Sequence, residues 1–131
     1  MKCVCKYSKY GDVPNEEKSF DGLDSAIYDV DVGSTYTIYG QSIFKGKLKY
    51  LIDPQDNSRP NWYPAELFDI VDGSPGRGWE FQYFPRDAKG DLGALWGYRE
   101  LVRDVEHFNN LADREEAALL AFARQKAVRP A

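Results

Sequence analysis

His107 is the single histidine of the chain, and Cys3 and Cys5 are its only cysteines. Together they offer at most three soft ligands, without the paired Cys or His spacings that close a structural zinc site. A serine or cysteine nucleophile needs a base that is itself oriented by a third group, and no nucleophile elbow or comparable motif is present. His107 is expected at the edge of a solvated helix face, one turn beyond Arg103. Cys3 and Cys5 lie two apart on a strand, with Cα atoms near the upper limit for bridging, so free and partly buried thiols are expected. "GSPGRG" at 73–78 lacks the Lys-Ser/Thr ending of a phosphate loop, and no helix follows it, so it reads as a turn. These residues predict no catalytic centre, no metal site and no cofactor.

Charge offers more. The net charge is −4, yet residues 12–31 hold seven acids against Lys18 alone, a local −6 that leaves +2 for the rest. Asp29 and Asp31 share one side of an extended segment, but general acid/base work needs burial or coupling that spacing does not supply. Such an acidic run is a solvated loop or a surface for a basic partner. Lys45, Lys47 and Lys49 alternate along one strand, as lysines that guard a sheet edge do. Joined by Arg59, they would instead form an anion or nucleic-acid site, with Tyr36, Tyr39, Tyr50 and Tyr63 as a stacking platform. The acidic balance opposes that alternative, because nucleic-acid binding needs clustered cations. Protein binding through Asp21, Asp24, Asp29 and Asp31, with Trp62 or Tyr63 as an exposed aromatic anchor, is the leading expectation.

The elements that must position these groups follow from periodicity. At 131 residues, 43% hydrophobic and 15% aromatic, the chain suits one domain with its own core. No signal-peptide core is evident and "AALLAFA" is far too short for a membrane span, so a soluble cytoplasmic protein is expected. "KCVCKY" alternates as a first strand, residues 8–33 form a long loop with a helical turn around Leu23 to Tyr28 as an option, and "STYTIYGQS" is a strand. "GKLKYLID" sets Leu48, Tyr50 and Ile52 on one face and Lys47, Lys49 and Leu51 on the other. "GWEFQYF" and "LGALWGY" form a hairpin around "PRDAKGD". From Tyr98 the period lengthens: Tyr98, Leu101, Val105 and Phe108 mark one helix face. An interruption is expected at Asn109 and Asn110, and a capping box at Asp113 with Glu116.

In "NWYPAELFDIV", Pro64 holds Tyr63 extended and can open one turn, so the segment reads as strand, 3₁₀ turn, strand. With "KCVCKY", the acidic loop, "GSTYTIYG" and "GKLKYLID", it resembles the SH3 barrel over about residues 2–72. The Ala-Leu-Tyr-Asp-Tyr strand and the third-strand tryptophan of peptide-binding SH3 domains are missing, which argues against proline-rich ligands. Together with the helical "GYREL" and "HFNNL", the pattern is similar to small bacterial SH3-like barrel proteins. Some of these are immunity proteins that cover the catalytic cleft of a cognate toxin. The resemblance implies an α+β domain: a small antiparallel SH3-like barrel at about 2–72, a hairpin at 78–97 and helices at 98–127. It also implies a non-catalytic role with another protein, a basic toxin domain, as partner.

Overall fold

A computed structural model describes residues 1–19, 24–85 and 91–128. Asp21 and most of the "PRDAKGD" turn lie outside the described residues. Among these residues the architecture is α+β, with eight strands followed by three α-helices. β1 (Lys2–Cys5) pairs antiparallel with β2 (Thr35–Thr37) on one side and β6 (Phe68–Asp72) on the other. The second sheet has the order β5-β4-β3-β8-β7, formed by β3 (Gly40–Phe44), β4 (Lys47–Ile52), β5 (Asn61–Pro64), β7 (Glu80–Tyr83) and β8 (Leu92–Gly97). Both sheets are antiparallel and open, rather than joined in a closed barrel. The chain crosses between them three times, the last along residues 73–79 from β6 to β7. β2 runs through Ile38 and Tyr39 into β3, and β5 turns through a 3₁₀ turn (Ala65–Leu67) into β6.

Because side chains alternate along a strand, the five-stranded sheet feeds two cores. Tyr50, Ile52 and Tyr63 face the three-stranded sheet and pack in a core with Cys3, Cys5, Tyr10, Ile38 and Phe68. Leu51 and Leu95 face the other way, into a core with Leu101, Phe108, Leu111 and Phe122 from the helices. The molecule is therefore layered sheet, sheet, helices, with the larger sheet in the middle. Gly40 and Gly97 stand opposite each other in the β3/β8 ladder. A Cβ at Gly40 would lie 2.6 Å from Leu101 Cδ2, and one at Gly97 2.7 Å from the same atom. The absence of both side chains is what lets Leu101 reach the sheet.

The helices are α1 (Arg99–Arg103), α2 (Val105–Ala112) and α3 (Glu116–Val128). Their boundaries correct the sequence reading. The first break falls at Asp104, whose carboxylate accepts the His107 backbone N–H at 3.2 Å and so caps α2. As N1 of a new helix, Val105 turns outward and is 53% exposed. α2 then passes straight through Asn109 and Asn110. It ends in a Schellman closure: Glu115 N–H donates to Asn110 O, Arg114 N–H to Leu111 O, and Arg114 takes φ +57. Asp113 is the C-cap of α2 and not the start of a capping box. The helical-turn option near Tyr28 is also replaced: over the described residues 24–28 the chain makes a turn and a bridge between Lys9 and Ile27.

Candidate functional site

The acidic loop is tied down at several points. Two 3₁₀ turns, Tyr10–Asp12 and Asn15–Glu17, are followed by backbone bonds from Tyr10 N to Ala26 O and from Tyr28 N to Ser8 O. Glu66, in the 3₁₀ turn between β5 and β6, holds the loop from below. Its Oε2 accepts Tyr10 Oη at 2.7 Å, Ser19 N at 2.8 Å and Ser19 Oγ at 2.5 Å. Burial opposes ionisation of Glu66, but these bonds hold its carboxyl below the ordinary glutamate range. A second tie runs from Tyr63, whose Oη donates to Asp29 Oδ1 at 2.5 Å. Burial first, and then the Asp29 carboxylate, push the Tyr63 phenol upward, so it stays a donor.

Asp24, Asp29 and Asp31 are exposed on this loop, together with Asp12, Glu16 and Glu17. Lys18 pairs with Asp24 at 2.7 Å, and Lys6 lies 3.7 Å from Glu17. Tyr63 is 2% exposed and belongs to the first core, so it positions Asp29. Trp62 is half-buried on the opposite face, 5.8 Å from the Phe108 ring, with its Nε1 buried and unpartnered among the described residues. Among the described residues, the large apolar side chains that do stand out of the loop are Ile27 and Val32, 73% and 63% exposed. Neither carries a sequence signal beyond being apolar among acids. Glu66 was equally hidden, since only the folded loop brings Ser19 to it.

The lysines sit elsewhere than an edge. β4 lies between β3 and β5, so Lys47 and Lys49 are on a central strand, while Lys45 is in the hairpin turn at φ +53. Lys45 and Lys49 lie 5.7 and 5.8 Å from the Phe44 ring centre. Burial first, then Lys47 and Lys45, lower the Lys49 pKa. Arg59 follows the other end of β4 and does not join them. Tyr50 and Tyr63 are buried, so the four tyrosines form no common stacking surface.

Cys3 and Cys5 are free and buried, and burial, with Cys5 beside it, pushes the Cys3 thiol up to about 12. His107 is in the other core, and no group of three or more metal-ligating side chains exists among the described residues. A cleft of about 290 Å³, lined by Tyr39, Asp72, Arg77, Trp79 and Val128 among others, contains a single carboxylate side chain among the described residues.

His107 corrects a further expectation: it is 5% exposed, its Nε2 2.8 Å from Tyr98 Oη. The ring is buried because α2 starts at Asp104, which turns position 107 inward. Burial lowers its pKa against the opposing pull of Glu100 and Asp104. The unfolded chain therefore binds more protons than the folded one just below the ordinary histidine value of about 6.5, and stability falls as pH drops through that value. Urea midpoints at pH 7.5 and 5.5 should show this loss in the parent chain and a smaller one in His107→Gln.

Among the described residues, no helix is long and apolar enough to cross a membrane. Comparison with family models, curated proteins and solved structures gave no match.

Proposed function

We propose that this chain is a non-catalytic, cytoplasmic protein-binding module that meets a basic partner with its acidic loop. Its scaffold is read as a small, partly open barrel of the SH3 type. Support for the scaffold comes from the short passage of β2 into β3, which lie in different sheets, and from the 3₁₀ corner that carries β5 into β6. One observation carries the functional reading: the exposed acids and the exposed Ile27 and Val32 share a loop anchored by Glu66 and Tyr63. A surface ordered before contact loses less entropy on binding, and its charge steers a cationic partner. An immunity protein that occupies the phosphate-binding cleft of a nuclease-type toxin would use such a surface.

The test is capture of the partner from the source cells, followed by association kinetics with Asp24→Lys combined with Asp31→Lys. Association should slow about tenfold at low salt, and the gap should narrow as salt screens it. Equal rates for parent and variant would remove the acidic loop from the interface. Asp29 is left intact because its bond to Tyr63 also serves the fold.

The rival reading is a nucleic-acid or anion site at the β3–β4 hairpin, favoured by the gathering of Lys45 and Lys49 around Phe44. Retention of labelled DNA or RNA on a filter at low salt, lost in Lys45→Glu, would select it over the acidic-loop reading.

A further inference from the structure

Among the described residues, β7 is the outer strand of the five-stranded sheet and has β8 as its one sheet neighbour. Phe84 N–H donates to Gly93 O at 2.9 Å, which fixes the phase of the ladder. In an antiparallel pair, residues alternate between bonding across the pair and facing away from it. Gln82 and Glu80 therefore bond toward β8, opposite Leu95 and Gly97, while the backbone N–H and C=O of Phe81 and Tyr83 point outward. No strand or loop among the described residues bonds to them. Both side chains project from the face opposite the helices. Phe81 is 55% and Tyr83 65% exposed, and Phe81 lies 4.9 Å from the Trp96 ring on the same face.

The other outer strands carry the usual guards against pairing. β5 is bracketed by Pro60 and Pro64, β6 displays Asp69 and Asp72, and β2 is three residues long. β7 itself has no lysine and no proline, and Pro85 lies two residues past its end. Its single charge, Glu80, is already engaged by Arg99 at 3.4 Å and Arg103 at 2.6 Å.

We propose that β7 is a homotypic docking edge: two copies of this chain pair their β7 strands antiparallel about a two-fold axis at Gln82. In that register Phe81 stands opposite the partner's Tyr83, and Tyr83 opposite the partner's Phe81. Each pair exchanges two backbone hydrogen bonds, so every outward group of Phe81 and Tyr83 in both copies is used. Gln82 meets the partner's Gln82 on the helix side. An isologous contact requires such self-complementarity, and the strand supplies it in backbone pattern, in aromatic-to-aromatic side-chain matching and in the absence of a free charge. Two four-residue strands and four aromatic rings make a contact smaller than the roughly 1,200–2,000 Å² that stable interfaces bury. The dimer is accordingly one that dissociates on dilution.

Sedimentation velocity over a wide range of concentrations should show a reversible shift from monomer to dimer. Amide hydrogen exchange at high concentration should slow at Phe81 and Tyr83 and stay unchanged at Gln82, which is already bonded to β8. Tyr83→Pro removes one outward N–H and one ring without touching the ladder to β8, and should weaken dimerisation by about tenfold or more. Tyr83→Lys tests the same edge with less demand on the backbone, and each variant counts only if it keeps the parent thermal midpoint. A monomer at every concentration would overturn the proposal and leave the edge to a strand of another protein. So would a dimer that Tyr83→Lys leaves equally tight.

Discussion

Phe122→Ala should destabilise the entire molecule by about 3–5 kcal/mol, the range for removing a fully buried aromatic ring from a core. Phe122 is 0% exposed, 5.1 Å from the Tyr39 ring and 6.4 Å from that of Tyr98. Tyr39 lies between β2 and β3, the crossing between the sheets, and Tyr98 sits between β8 and α1, so the ring reaches both the strand body and the helical layer. Loss of α3 packing should therefore be felt by the strands. Urea unfolding followed by far-ultraviolet circular dichroism and by tryptophan fluorescence should give one coincident transition, moved to lower urea in the variant. Two separated transitions would mean that the helices are an appendage to the sheets. A cost below about 1 kcal/mol would mean that the site collapses around the lost ring.

The strands were legible because period two is a local signal and because each inward position had a core waiting. "KLKYLI" divides Tyr50 and Ile52 from Leu51 in the sequence as it does in the fold. "NWYPAEL" announced its corner through Pro64. What sequence could not carry was order across the sheet. Lysines at 47 and 49 look like edge guards until β5 pairs with the open side of β4. Helix ends failed for a related reason. The Schellman position is held by Arg114 where glycine is usual, and Asp104 caps α2 from inside what looks like one continuous periodic run. That single cap rotates His107 into the core and Val105 out of it. In the acidic loop the carboxylates were visible, but Glu66 and Tyr63 acquire their positioning roles only through partners 47 and 34 residues away.

Lys126→Met should cost about 3 kcal/mol at neutral pH, because it strips the counter-ion from a carboxylate that cannot reach water. Asp53 closes β4, and its side chain is 1% exposed. It accepts Ser58 N–H at 2.9 Å, Asn57 N–H at 3.3 Å and Lys126 Nζ at 2.6 Å. Lys126 also pairs with the exposed Asp56. The stem of Lys126 comes from the last turn of α3, so the pair fastens the end of the helical layer to the β4–β5 loop. Burial works against the ammonium, but the hydrogen bonds to Asp53 and Asp56 outweigh it and raise the Lys126 pKa. A base whose folded pKa is raised binds its proton more tightly in the folded state. Its stabilisation is complete below the unfolded lysine value of about 10.4 and is lost as pH rises through the higher folded value. Urea midpoints for the parent should thus decline in the alkaline range, with a smaller decline in Lys126→Met. Asp53→Asn in the Lys126→Met background should recover part of the loss, since a neutral amide is far less costly to bury than an unpaired carboxylate. If Lys126→Met alone costs under about 0.5 kcal/mol, an exposed-type pair is the better description. The end of α3 would then be held by Phe122 and its apolar neighbours alone.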